Sequence, residues 1–110
     1  MPRPFEEELL LSKSTPHIDA LCLTNEDNVA TVLRAVMAGE TVSVRSASGI
    51  TAVAAQSDIP ICHKIACKTI APGQPVVKYG EAIGIATATI ERGRHVHVHN
   101  MRSNRARTSR

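Results

Sequence analysis

Three segments of the chain read in one frame: VMAGETVSV (36–44), IAPGQPVVK (70–78) and IERGRHVHV (90–98). Each places an apolar residue three positions before a glycine and a valine three positions after it. Gly39, Gly73 and Gly93 are therefore equivalent, as are Val42, Val76 and Val96. A glycine at that spacing supplies the positive φ of a tight turn, and the valine carries the following strand into the core. A chain punctuated this way is committed to short strands and turns. It is too short for more than one domain at 110 residues.

The other elements are placed around these turns. Residues 1–16 read as a flexible leader, and HIDALCL (17–23) alternates as a first strand. NEDNVATVLRAVMAGE (25–40) has apolar residues at Val29, Val32, Leu33 and Val36, with Asn25 or Asp27 to cap it and Gly39 to stop it. That spacing predicts one short helix. Strands are expected at 41–45 and 50–56 across a Ser/Gly turn, then at 63–70, 76–79, 82–90 and 95–100, with SDIP (57–60) as a loop. The fold class is mostly β with one short helix.

Composition narrows the function classes. The core must be aliphatic, because there is no Trp, one Phe (Phe5) and one Tyr (Tyr79). Tyr79 is expected to serve either as the one large core plug or at a site. The net charge of +3 comes from the last nine residues, which hold Arg102, Arg105, Arg107, Arg110 and no acid. Residues 101–110 therefore read as a disordered basic tail. Arginines without interleaved aromatics are weak grounds for binding nucleic acid. Cys22, Cys62 and Cys67 form no CxxC pair, which fits reduced thiols and a cytoplasmic location. No stretch approaches a membrane span; Leu9, Leu10 and Leu11 follow three glutamates. The chain has no phosphate loop, nucleophile elbow or evident carboxylate pair.

The chemistry-bearing stretch is RHVHVHN (94–100). If Val96 and Val98 face the core, His95, His97 and His99 share the opposite face, neighbours about 7 Å apart and the outer two about 13 Å apart. Two imidazoles at i and i+2 can reach one metal with bonds of about 2.1 Å, whereas three on a straight strand cannot. A polar, half-exposed strand face accounts for the pattern equally well.

The segments DNVATVLRAVMAGETVSV (27–44) and DIPICHKIACKTIAPGQPVVKYGEAIGIATATIERGRHVHVHN (58–100) together resemble the SAF domain of altronate and galactarate dehydratases. The resemblance spans about residues 17–100. It implies a β-clip fold and a share in hydro-lyase chemistry, in which water is eliminated from a sugar acid. It also implies a divalent metal, iron or manganese, held mainly by a large catalytic subunit that is encoded separately, with this chain inactive alone.

Carried over by position, the family's GHK motif falls on Cys62, His63 and Lys64, with Cys62 in place of the usual glycine. KYG falls on Lys78, Tyr79 and Gly80, and VHxHN on Val96 to Asn100, which leaves His95 outside the pattern. His63, His97 and His99 are then expected as catalytic imidazoles that bind or protonate the leaving hydroxyl. Lys64 and Lys78 would grip a substrate carboxylate, with Tyr79 and Gly80 beside them. Asn100 would orient an imidazole or bind substrate hydroxyls, and His97 with His99 is the pair able to offer metal ligands. A second reading is the small subunit of a sulfolactate sulfo-lyase. A third is a non-catalytic SAF-type module that binds a carbohydrate or partner. Homo-oligomerisation is left open.

Overall fold

The computed structural model describes residues 17–104. The expectations for a leader (1–16) and for residues 105–110 of the tail lie outside these. Nine strands follow in chain order: β1 (Ala20–Leu21), β2 (Val29–Val32), β3 (Thr41–Ser46), β4 (Gly49–Ala54), β5 (Lys64–Ala66), β6 (Pro75–Lys78), β7 (Glu81–Ala86), β8 (His95–Val96) and β9 (Met101–Ser103). They form a six-stranded sheet in the order β4-β3-β1-β2-β5-β8 and a three-stranded sheet in the order β6-β7-β9. Only β1 and β3 run parallel; every other pairing is antiparallel. The mostly β architecture of a β-clip domain is what the chain adopts.

The repeat explains why. In each copy the residue after the glycine donates its N–H to the carbonyl three positions back: Glu40 to Met37 at 3.1 Å, Gln74 to Ala71 at 3.0 Å and Arg94 to Glu91 at 3.0 Å. The glycines have φ of 95°, 85° and 93°, the geometry of a type II turn at its third residue. The apolar residue before each turn, Val36, Ile70 or Ile90, is buried, and so is the valine after it, Val42, Val76 or Val96. A fourth copy is hidden in IPICHKI. His63 N–H donates to Pro60 at 3.0 Å, Cys62 occupies the glycine position with φ of 72°, and buried Ile59 and Ile65 flank the turn. The four anchors pair off through isolated bridges, Val36 with Ile59 and Ile70 with Ile90. Two aliphatic clusters result, one centred on Val32, Val42, Ile59 and Ile65, the other on Ile70, Val76, Ile90 and Val96.

Four expectations fail here, each for a local reason. Residues 25–40 form no helix: Val29–Val32 is β2, held between β1 and β5. Its Val-Ala-Thr-Val run favours extended backbone, and Leu33, needed for a helical apolar face, is 46% exposed. Val98 does not enter the core but is 75% exposed, because β8 stops at Val96 and the chain turns over 97–100. Tyr79 is exposed rather than a core plug, standing in a hairpin turn at φ of 55°. The tail does not begin at 101: Met101–Ser103 is β9, paired to β7, and Met101 is buried. Among the described residues, no helix is long and apolar enough to cross a membrane.

Candidate functional site

The turns at Cys62 and Gly93 feed the antiparallel pair β5 and β8, in which Lys64 lies opposite Val96 and Ile65 opposite His95. Extending that register by one residue sets His63 opposite His97. Alternation along β8 then puts His95 and His97 on one face, with His63 against them. The rings of His63 and His97 stack at 4.2 Å, those of His63 and His95 at 5.0 Å, and those of His95 and His97 at 5.6 Å. His63 Nδ1 and His95 Nε2 are 2.9 Å apart, at hydrogen-bond distance. His99 lies at the margin, its ring tilted against His95 at 5.2 Å. His95, left outside the family motif, is thus the centre of the cluster. The turn at Cys62, which carries no glycine to announce it in the sequence, is what brings His63 to β8.

Asn100 fixes the backbone under these rings. Its side-chain oxygen accepts His97 N–H at 3.0 Å, its amide group donates to the His95 carbonyl at 2.9 Å, and its own N–H donates to the His97 carbonyl at 3.1 Å. Both ends of the amide are engaged on the main chain, so the geometry supports orientation rather than substrate contact. Ser57 Oγ accepts His95 N–H at 2.9 Å and steadies the other side.

The electrostatics follow from crowding basic groups together. Burial, then the positive charges that His63, His99, His97 and Lys64 can carry, push His95 down from 6.5 to about 4. His97 is lowered first by burial and then by His63, Lys64 and His99. Lys64 is half-buried and lowered by desolvation first and by nearby Lys78 second. His95 and His97 are therefore neutral imidazoles at neutral pH, near the Lys64 ammonium group. The Nδ1 atom of His97 is buried with no hydrogen-bond partner.

Lys78, Tyr79 and Gly80 belong to the other sheet and reach the site by a separate route. Tyr79 and Gly80 form the β6–β7 turn, both with positive φ, and Lys78 Nζ sits 5.2 Å from the Tyr79 ring centre. The turn is tethered by Asp27, whose buried carboxylate accepts Gly80 N–H at 2.8 Å, Leu23 N–H at 2.9 Å and the Thr24 hydroxyl at 2.8 Å. Asn28 adds its side-chain bonds to Val77 N–H at 2.8 Å and the Pro75 carbonyl at 2.9 Å. Asp27, read in the sequence as a helix cap, instead ties the Lys78 turn to the six-stranded sheet. The signal lay in the acid itself, since a carboxylate ahead of a buried strand must be satisfied locally.

A cleft of about 450 Å³ opens beside the cluster, lined by His95, His99, Arg94, Ser57, Asp58 and Glu91 among others. Among the described residues, His63, His95 and His97 are the group able to hold a metal ion: one ring nitrogen from each lies within 4.8 Å of the others. Neutral imidazoles and an unsatisfied buried nitrogen suit that use. The pair expected to offer ligands, His97 and His99, is not the pair the fold presents, because His99 stands outside this group. The cluster offers neutral imidazole nitrogens, with the Lys64 charge close enough to lower His95 and His97.

Comparison with known proteins gives a consistent result. The family described as altronate/galactarate dehydratase SAF domain matches residues 18–104. Altronate dehydratase of Escherichia coli (strain K12) is 44% identical over 78 residues, which is 71% of this chain and 15% of that protein. The Bacillus subtilis (strain 168) altronate dehydratase is 38% identical over 79 residues, again 15% of its length. The alpha subunit of (2R)-sulfolactate sulfo-lyase from Paracoccus pantotrophus is 47% identical over 51 residues, covering 46% of this chain and 76% of that subunit. The chain thus spans about 15% of the length of the altronate dehydratases it matches.

Proposed function

The chain belongs to the altronate/galactarate dehydratase SAF-domain family, and from that premise we propose that it is the small subunit of a sugar-acid hydro-lyase. A separately encoded, larger catalytic subunit would complete the site, and the reaction would eliminate water from an aldonate or aldarate. The observation that carries this reading is the stacking of three imidazoles, His63, His95 and His97, with the Lys64 charge near them, inside the span that the family matches.

Such an elimination needs a group to take the proton α to the carboxylate, a group to hold the carboxylate, and help for the departing hydroxyl. Lys64 and Lys78 supply charge-assisted hydrogen bonds to the carboxylate, and partial desolvation of Lys64 strengthens its share. His95 and His97 enter as neutral imidazoles, open to a metal ion or to a hydrogen bond from substrate, and the group that takes the α proton would come from the larger subunit. His99, on the rim of the cleft, is placed to meet a substrate hydroxyl. A divalent metal, iron or manganese, would polarise the substrate when bound.

A second reading has its own support. The sulfo-lyase alpha subunit is itself a short chain, three quarters of which this one covers. The same anion-holding lysines would serve a substrate bearing both carboxylate and sulfonate, with sulfite as the leaving group.

The test is to co-express the chain with the product of the adjacent reading frame and assay the purified complex on a panel of aldonates, aldarates and sulfolactate. Dehydration of a sugar acid by the complex, and by neither protein alone, is the expected result. Sulfite release in its place would move the assignment to the second reading. Turnover by the isolated chain would overturn the two-subunit scheme.

A further inference from the structure

We infer that His63, His95 and His97 form a binding site, on this chain itself, for one divalent transition-metal ion. The site deepens the hydro-lyase reading and rests on it for the ion's use, although the binding itself is a property of these 110 residues. It departs from the family-based expectation in two respects: the ion sits on the small subunit, and His95 replaces His99 among its ligands.

The geometry carries the assignment. Bonds of about 2.1 Å place adjacent nitrogens about 3.0 Å apart in an octahedron and about 3.4 Å apart in a tetrahedron. His63 Nδ1 and His95 Nε2 are already 2.9 Å apart, and the third ring offers a nitrogen within 4.8 Å of both. Rotation of the half-buried rings about their side-chain bonds closes the rest. His97 Nδ1 has lost water without gaining a partner, a debt that native proteins rarely leave open. An ion in the cluster gives that imidazole something to bind.

The support around the rings is of the kind metal sites need. Asn100 clamps the main chain of both His95 and His97, and Ser57 holds the His95 amide. These bonds fix where the ligands stand. Three imidazoles leave one to three coordination positions free, which is the arrangement of a catalytic rather than a structural ion. An all-nitrogen donor set selects zinc, nickel, cobalt or ferrous iron over magnesium and calcium, which require oxygen. Lys64 opposes a dication in the cluster, so the isolated chain is expected to bind more weakly than a closed structural zinc site.

The experiment is a calorimetric titration of the full chain with Zn²⁺, Ni²⁺, Co²⁺ and Mg²⁺, followed by nitrogen-15 NMR of the histidine rings. One equivalent of Zn²⁺ or Co²⁺ should bind, Mg²⁺ should not, and the ring signals of His63, His95 and His97 should shift while His17 stays put. His63→Ala, His95→Ala and His97→Ala should each weaken binding at least about tenfold, with His17→Ala unchanged. The ring shifts are read on the unaltered protein, so a variant that fails to fold does not blunt the test. The site is overturned if the unaltered chain binds no transition metal at millimolar concentration, or if binding survives His63→Ala and is lost in His99→Ala. Metal binding without turnover in any partner complex would sink the hydro-lyase reading and leave this site standing. Turnover with the three rings silent to metal would do the reverse.

Discussion

At the scale of single residues, the most informative position is Cys62. It holds a left-handed conformation that costs a residue with a Cβ about 1–2 kcal/mol, at a position where the other three turns have glycine. Cys62→Gly should raise stability by about 1 kcal/mol, read as an upward shift of the thermal midpoint. Gly93 presents the opposite case. A Cβ there would meet the Ala54 carbonyl oxygen at 2.2 Å, and φ is 93°. Gly93→Ala should cost more than about 2 kcal/mol in denaturant titration, because backbone rather than a flexible side chain stands in the way. Both residues sit in the same turn frame, yet only one was legible in sequence. A glycine announces its turn, whereas a cysteine in a glycine's place conceals it. That concealment hid the fourth copy, and with it the reason His63 faces His97.

At the scale of elements, the β5–β8 pair and its following turn form a unit with its own acid response. His95 titrates near 6.5 when unfolded and at about 4 when folded. Its folded pKa is depressed, and it is the charged form that folding disfavours. Stability is therefore full above pH 6.5 and declines as pH falls from there toward 4. His95→Gln should flatten that part of the pH–stability curve, measured by urea unfolding at a series of pH values. Asp27 acts lower on the scale. Burial works against its carboxylate but is outweighed by hydrogen bonds from Gly80, Leu23 and Thr24, which hold it below the usual 3.8. That contribution is present above about pH 4 and is lost as pH falls further. Asp27→Ala would leave the Gly80 and Leu23 N–H groups unpaired and cost at least about 2 kcal/mol. It should also loosen the Lys78–Tyr79 turn, visible as faster amide exchange there. The sequence pattern predicts a strand through 95–100 and a helix over 25–40, where the fold has a turn over 97–100 and the strand β2. Apolar spacing at 29, 32 and 36 serves a helix or an irregular β segment alike, and only the neighbours across β1 and β5 decide it.

At the scale of the whole molecule, two sheets share the work. The larger carries the imidazoles, the smaller carries Lys78 and Tyr79, and β2 lies against β6 through the Asn28 contacts that join them. Residues assigned to a tail close the smaller sheet: β9 pairs with β7 and buries Met101 against the second aliphatic cluster. Truncation after Asn100 should therefore lower the thermal midpoint, measured by calorimetry. The arginine count draws attention to charge, while one buried methionine shows that the fold includes residues 101–103.

The turn frame has a consequence for how such a domain can change over time. Its core positions are the apolar residue before the turn and the one after it; the two residues between turn and core lie outside both aliphatic clusters. They read Glu40-Thr41, His63-Lys64, Gln74-Pro75 and Arg94-His95 in the four copies. In two copies the first of them caps its own turn, Glu40 accepting Met37 N–H and Gln74 accepting Ala71 N–H. In the other two it is His63 or Arg94, next to a site. Turn-capping and site-lining side chains thus share one register, so the residues there can be exchanged two at a time without reopening the core.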